Sequence, residues 1–195
     1  MGCRENFFAA KNVGKRFGSQ WVFRGVEFEI PQGECLAVTG PNGSGKSTLL
    51  RILARLEQPT EGTFSAFDRP RMGCVAPDLN LYPPLTVYEH FLFAARLRSV
   101  QANAQKLIEM VGLKGAETLP ASALSTGMKT RLKLGLAVQH EPALLILDEP
   151  GSSLDAQGKA MLAEIVAEQK RRGFLILATN DHSELRFAEQ ELRLG

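Results

Sequence analysis

The stretch Gly40 to Ser47, GPNGSGKS, most constrains what this chain can fold into. Its glycines permit backbone angles that turn successive N–H groups inward, and the helix that follows directs its positive end at the same point. In such a loop the lysine reaches the outer phosphates of a nucleotide, and the serine hydroxyl ligates Mg²⁺. The sequence therefore predicts a nucleotide-binding loop made of Gly40, Pro41, Asn42, Gly43, Ser44, Gly45, Lys46, Ser47 and Thr48, with Ser47 also on the metal.

Composition narrows the class of protein further. The 195 residues, 44 % of them hydrophobic, suffice for one core that carries an inserted subdomain. A formal charge of +2 gives no electrostatic reason to expect nucleic acid as a partner. The 3 cysteines form neither a disulfide framework nor a ligand cluster, which is typical of a reducing cytoplasm. No apolar run approaches the roughly 20 residues that span a bilayer, so a membrane role would require a partner chain.

The hydrophobic pattern predicts an α/β fold. Short alternating runs from Phe7 to Glu34 indicate a small antiparallel sheet before the loop. A helix with an apolar face that includes Leu56 is expected after the loop. Continuous apolar runs at 143–147 and 174–178, separated by a helix at about 156–171, are typical of buried parallel strands.

The pattern in the middle of the chain predicts an inserted helical subdomain. Thr86 and Glu89 form a capping box that begins one helix, a second helix ends at Gly112, and Ser125 begins a third. We therefore expect one domain over 1–195. Its parts are an antiparallel β part at about 7–34, a core with a mostly parallel sheet at about 35–76 and 141–195, and the helical subdomain at about 78–139.

Three motifs, in this order and at these separations, resemble those of one family. They are the phosphate loop, LSTGMKTR at Leu124 to Arg131, and LLILDEP at Leu144 to Pro150. From Phe7 to about Leu192 the chain resembles the ATP-binding subunits of ABC transporters, which have a P-loop NTPase core. The resemblance implies ATP and Mg²⁺ as cofactors and head-to-tail pairing with a second ATP-binding domain, identical or different. Each signature motif then caps the partner's ATP, here through Ser125, Thr126 and Gly127.

The resemblance also implies roles for other residues. Asp148, at the end of a buried strand, would hold Mg²⁺ through water, and Glu149 would be the general base for the attacking water. Phe17 lies where the family stacks an aromatic ring on adenine, although an aromatic residue in an antiparallel strand is also an ordinary core residue. Asp155 fits the family's D-loop and equally the N-cap of the next helix.

Two positions depart from the family pattern. Pro77 stands where a glutamine usually contacts Mg²⁺ and the attacking water, and proline has neither a side-chain amide nor an N–H. The adjacent Asp78 is either a substitute metal ligand or a loop carboxylate without a role. Asn180 replaces the switch histidine; it can donate a hydrogen bond to a phosphate but cannot transfer a proton. These changes predict either slow hydrolysis or hydrolysis that depends on the partner.

Two functions from different classes are compatible with the motifs. In the first, the chain hydrolyses ATP to drive a separate transmembrane permease, which contacts it through about Pro77–Arg98; this implies a peripheral position on the cytoplasmic face of the cell membrane. In the second, the chain is a soluble ABC-type regulator or assembly factor that uses ATP binding as a switch. The short chain resembles compact subunits of the haem-exporter and cytochrome c biogenesis type. The transported substrate is not encoded in this sequence.

Overall fold

A computed structural model describes residues 6–68, 71–101 and 103–195. The strands are β1 (Phe7–Phe17), β2 (Gln20–Pro31), β3 (Cys35–Thr39), β4 (Glu61–Phe64), β5 (Met72–Val75), β6 (Leu144–Asp148), β7 (Phe174–Ala178) and β8 (Gln190–Arg193). The α-helices are α1 (Lys46–Leu53), α2 (Val87–Arg98), α3 (Ala104–Met110), α4 (Thr126–Val138), α5 (Ala156–Arg172) and α6 (His182–Leu185). None of these helices is long and apolar enough to cross a membrane.

Strands β1, β2 and β4 form an antiparallel sheet in the order β2-β1-β4. β1 pairs with β2 from Phe7↔Pro31 to Phe17↔Gln20, which confirms the predicted antiparallel sheet. β4 pairs with the other edge of β1, so the antiparallel part extends beyond the range of about 7–34 that the sequence predicted. Gly62 makes this pairing possible, because a Cβ at that position would lie 2.1 Å from the Asn12 carbonyl oxygen.

The second sheet is parallel, with the order β5-β6-β7-β3-β8. Every residue of β6 and β7 is buried, as their continuous apolar sequences predict. The register pairs Asp148 with Ala178 and Ala178 with Val38, so β3, β6 and β7 end at one edge of the sheet. The edge strand β8 is half-exposed and has only four residues, and the hydrophobic pattern did not distinguish it from a loop.

Two hydrophobic clusters lie on opposite faces of the parallel sheet. One contains Phe8, α1 and the antiparallel sheet, and the other contains the helices α2 to α5. α1 ends at Leu53, after which Arg55 takes a left-handed conformation with φ of 58°. Leu56 is consequently 54 % exposed, so its predicted place on the apolar face of the helix was wrong.

The predicted caps of the helical subdomain are present. Thr86 accepts a hydrogen bond from the Glu89 N–H while the Glu89 carboxylate accepts one from the Thr86 N–H, which completes the capping box.

α4 packs closely on its neighbours because Gly135 has no side chain: a Cβ there would lie 2.8 Å from the Phe91 ring and 2.9 Å from Val111.

Gln169, in α5, provides a test of how much buried hydrogen bonds contribute to stability. Its side chain is buried, and its amide N–H groups donate to the carbonyl oxygens of Pro142 and Phe174, each at 3.1 Å. We expect Gln169→Ala to lower the free energy of unfolding by about 2–3 kcal/mol, because two buried carbonyls lose their donor. Chemical denaturation measures the change. The exposed Gln157→Ala on the same helix is the matched control, and equal effects at the two positions would contradict this explanation.

Candidate nucleotide-binding site

The loop between β3 and α1 depends on glycine at two close approaches. Gly40 has φ of 139°, and a Cβ there would lie 2.2 Å from the Leu194 carbonyl oxygen. Gly45, the N-cap of α1, has φ of 99°, and a Cβ there would lie 2.6 Å from Val22 and 2.8 Å from Phe23. The loop is therefore held between the end of β8 and the antiparallel sheet.

Lys46 is held inside the curve of this loop. The residue is 7 % exposed, and its Nζ donates to the carbonyl oxygens of Gly40 at 2.7 Å and Pro41 at 3.3 Å. An ammonium group at this position, next to the N-terminus of α1, makes the loop a site for an anion. The hydroxyl of Ser44 is buried there without a hydrogen-bond partner among the described residues.

A cleft of about 280 Å³ opens beside the loop. It brings together predicted nucleotide, metal and catalytic residues, and also Val22, which the sequence did not single out. The lining consists of Val22, Asn42, Gly43, Gly45, Lys46, Ser47, Thr48, Asp148 and Glu149. The positive loop and the two carboxylates thus face one another across the same space.

The predicted metal residues line an adjacent small cavity of about 40 Å³. Ser47, Asp78 and Asp148 all contribute to its wall. The Asp78 carboxylate forms an ion pair with Arg51 of α1, a contact that the sequence did not reveal. No group of three or more His, Cys, Asp or Glu residues suited to a metal occurs in the described part of the chain. The hydroxyl and carboxylate oxygens fit Mg²⁺, which takes few protein ligands and keeps waters and phosphate oxygens as the others.

Glu149 immediately follows β6 in a left-handed conformation, with φ of 49°. Its N–H donates to the Ala178 carbonyl oxygen at 2.9 Å, which fixes the turn to the end of β7. Burial raises the pKa of the Glu149 carboxyl, while the Asn180 backbone N–H and the charge of Lys46 act in the opposite direction. A carboxylate with a raised pKa is suited to accept a proton near neutral pH.

Asn180 reaches the phosphate loop from β7. Its Nδ2 donates to Asn42 Oδ1 at 2.9 Å, so the side chain lies beside the loop although it cannot act as an acid or base. His182, two residues on, is exposed at the start of α6. Asp181 pairs with Lys159 at 2.9 Å, and this contact with its hydrogen bonds from Ser183 lowers the pKa of Asp181 to about 2.

The signature residues do not line this chain's own cleft. Ser125 caps α4 by accepting a hydrogen bond from the Met128 N–H at 3.2 Å, and Thr126 and Gly127 form the first turn. The segment 153–155 packs beside them: Thr130 Oγ1 lies 2.7 Å from Ser153 Oγ, and Arg131 pairs with Asp155 at 2.5 Å. Asp155 also caps α5, as predicted, by accepting from the Gly158 N–H at 2.8 Å.

Phe17 lies at the end of β1 and is 54 % exposed. The ammonium of Lys15 is 4.8 Å from the centre of its ring. The ring does not line the phosphate cleft, and stacking on adenine stays a prediction.

The fold and the cleft define a P-loop nucleotide-binding protein. A family model described as "ABC transporter" matches residues 23–152, and the chain belongs to this family. This confirms the predicted family and fold class.

Relatives and solved structures agree with the family. The chain is 36 % identical to the Nod factor export ATP-binding protein I of Burkholderia lata, over 89 % of this chain and 62 % of that protein. It is 37 % identical to an aliphatic sulfonates import ATP-binding protein of Shouchella clausii, over 88 % and 70 % of the two chains. A dimeric post-hydrolysis structure of the ATP-binding cassette MJ0796, bound to ADP and Pi, superposes with a TM-score of 0.84 at 25 % identity, covering 96 % and 94 %. The chain spans less than two thirds of the length of the Nod factor export relative.

A buried carboxyl behind the site predicts a pH-dependent stability. Glu184 is 4 % exposed, its Oε2 has no partner among the described residues, and burial raises its pKa above 4.5. Below pH 4.5 both the folded and the unfolded chain hold this proton; as the pH rises through the folded pKa, the folded chain must bury a charge and loses stability. Glu184→Gln should therefore become more stable than wild type by about 1 kcal/mol for each unit that the pKa is raised.

Denaturation curves of both proteins from pH 4.5 to neutral pH measure this difference. Glu164→Gln, at an exposed position of α5, is the control. A stability difference between wild type and Glu184→Gln that stays constant with pH would refute the prediction.

Proposed function

We propose that the chain is an ATP-binding and hydrolysing subunit that dimerises around ATP and drives a separate membrane permease. The observation that carries the proposal is the cleft in which Lys46, Asp148 and Glu149 line one space beside the phosphate loop. Cation, metal-binding carboxylate and general base are the groups that phosphoryl transfer to water requires.

Each group in the cleft has a chemical task. The loop N–H groups and Lys46 hold the phosphates of ATP. Mg²⁺, held by Ser47 and Asp148, supplies charge neutralisation at the outer phosphates when bound. Glu149 accepts the proton of the attacking water, and Asn180 donates a hydrogen bond toward the outer phosphate. Phe17 stacks on the adenine ring.

Dimerisation completes the site in this proposal. Ser125 and Thr126 are exposed, and neither they nor Gly127 line their own cleft. The helix that they begin contacts the 153–155 segment through Thr130 and Arg131. The N-terminus of α4 is suited to meet the outer phosphate of a partner's ATP. The dimeric cassette bound to ADP and Pi is a precedent in a similar protein.

A second surface supports a permease partner. The docking groove, about 210 Å³, lies between the 79–82 segment, α2 and α4. Tyr82, Phe93 and Leu97 on its wall are 57 %, 37 % and 68 % exposed, which is unusual for a set of neighbouring large apolar side chains. This groove falls within the Pro77–Arg98 range, and a permease bound there would keep the chain at the inner face of the membrane. The relatives' names include both export and import, so no direction of transport is proposed.

The two departures from the family pattern limit the rate in this proposal. Pro77 offers no side-chain contact to the attacking water. Asp78 lines the metal cavity and contributes a carboxylate to Mg²⁺ when Arg51 releases it. Asn180 holds phosphate without proton transfer.

Glu149 is the residue on which turnover depends most. Glu149→Gln should reduce ATP turnover by about a hundredfold or more, because the amide cannot accept the proton of water. Binding of ATP should persist, since the loop and Lys46 are unchanged. Turnover by the purified chain, with and without its permease, measures the effect.

Glu141→Gln, an exposed acidic position, is the control. Unchanged turnover in Glu149→Gln would exclude Glu149 as the base. If the wild-type chain binds ATP but never hydrolyses it, even with a permease, the ATPase proposal fails and the switch-like regulator takes its place.

Restoring the family's residue types at positions 77 and 180 should increase the rate of ATP hydrolysis. The double variant Pro77→Gln/Asn180→His should raise the maximal ATPase rate severalfold with little change in ATP affinity, because it restores a water contact and a titratable group. Steady-state kinetics separates kcat from KM. The control is Pro83→Gln/His182→Asn at two exposed positions. It makes the same proline-to-glutamine change and the reverse exchange between asparagine and histidine. A rate no higher than wild type would show that these two positions do not limit the reaction.

A further inference from the structure

The docking groove combines exposed apolar side chains with two cations. Arg98, at the end of α2, and Lys133, in α4, both line it. The other lining residues are Cys74, Leu79, Asn80, Leu81, Tyr82, His90, Phe93, Ala94, Leu97, Leu136 and Ala137. No aspartate or glutamate belongs to this wall.

Neither cation has a counter-ion among the described residues. Lys133 Nζ contacts only the carbonyl oxygens of Pro77 at 3.2 Å and Ala76 at 3.5 Å, and Arg98 forms no ion pair with a described carboxylate. Burial lowers the pKa of both groups, and the nearby Lys129 lowers that of Lys133 further. Elsewhere, by contrast, Lys15, Arg51 and Arg131 each pair with a described carboxylate.

We infer that the docking groove binds an acidic segment of the permease, in which one aspartate or glutamate is flanked by apolar side chains. The inference rests on the proposed function and defines the chemistry of its partner. The apolar side chains cover Tyr82, Phe93 and Leu97, and the carboxylate lies between Arg98 and Lys133. A basic segment would meet two partly desolvated cations and be repelled.

Residues of the docking groove also connect it to the nucleotide site. Cys74 and Leu79 line both the docking groove and the metal cavity, so one thin wall separates the two. Lys133 holds the carbonyl of Pro77, next to Asp78 on the metal side. A partner carboxylate that attracts the Lys133 ammonium competes with that carbonyl and loosens the segment that carries Asp78.

Peptide selection on the full chain tests the inference. A displayed library of random peptides is selected on wild type, and groove binders are defined by weakened binding to Leu97→Ser. These binders should be enriched in aspartate or glutamate beside apolar residues. Replacing the peptide's acid by its amide should weaken binding roughly tenfold, and so should the variant Arg98→Gln/Lys133→Gln of the chain. Binding of the amide peptide to that variant should be little weaker still, because the two changes remove the same interaction.

The matched control is Arg96→Gln/Lys129→Gln, which removes two charges from the same helices outside the groove lining and should leave affinity nearly unchanged. Melting temperatures identify variants that fail to fold. If the glutamine pair unfolds the chain, the acid-to-amide change in the peptide, measured on the wild-type chain, still tests the pairing, and unchanged affinity there would contradict it.

Groove binders without acidic enrichment, binders insensitive to the Arg98/Lys133 pair, or a selection without Leu97-dependent peptides would each overturn the inference. The selection requires neither ATP nor a permease, which separates the two proposals. A permease that binds this groove through a segment without a carboxylate refutes the inference and leaves the proposed function intact. If the wild-type chain does not hydrolyse ATP but binds peptides in an acid-dependent way, the proposed function is refuted and the inference about the groove stands.

Discussion

The close packing of the phosphate loop is the constraint on which the other parts of this structure depend. Gly40 lies against the carbonyl of Leu194, and Gly45 lies against Val22 and Phe23. The loop thus touches the last strand of the parallel sheet on one side and the antiparallel sheet on the other. A side chain at either glycine would have to displace backbone or core residues, so the geometry that binds phosphate also fixes how the two sheets meet.

Strand register carries this constraint to the proposed catalytic groups. Because Val38 and Asp148 both pair with Ala178, the ends of β3, β6 and β7 lie side by side at the loop. Asp148 is buried there, and Glu149 follows it in a left-handed backbone conformation and lines the cleft. The phosphate loop and the motif that ends β6 are far apart in the chain, and the parallel sheet brings them together.

The sequence predicted those features that short motifs and periodic patterns encode. The phosphate loop, the caps at Thr86 and Ser125, and the buried strands are local signals, and the structure contains them. The pairing of β4 with β1 and the exposed place of Leu56 depend on chain reversals that the local pattern does not show. The Arg51–Asp78 ion pair joins residues of two segments, so no spacing rule could reveal it.

Helix α4 connects the surfaces that these motifs leave separate. Its first turn carries the signature residues, Arg131 pairs with the cap of α5, and Lys133 holds the segment before Asp78. All of these contacts lie on one helix of 13 residues, closely packed at Gly135. A displacement of α4 as a unit by a ligand at one end would alter the contacts at the other. The proposed ATP partner site and the docking groove are parts of the same helix, so α4 is the element through which binding at one would influence the other.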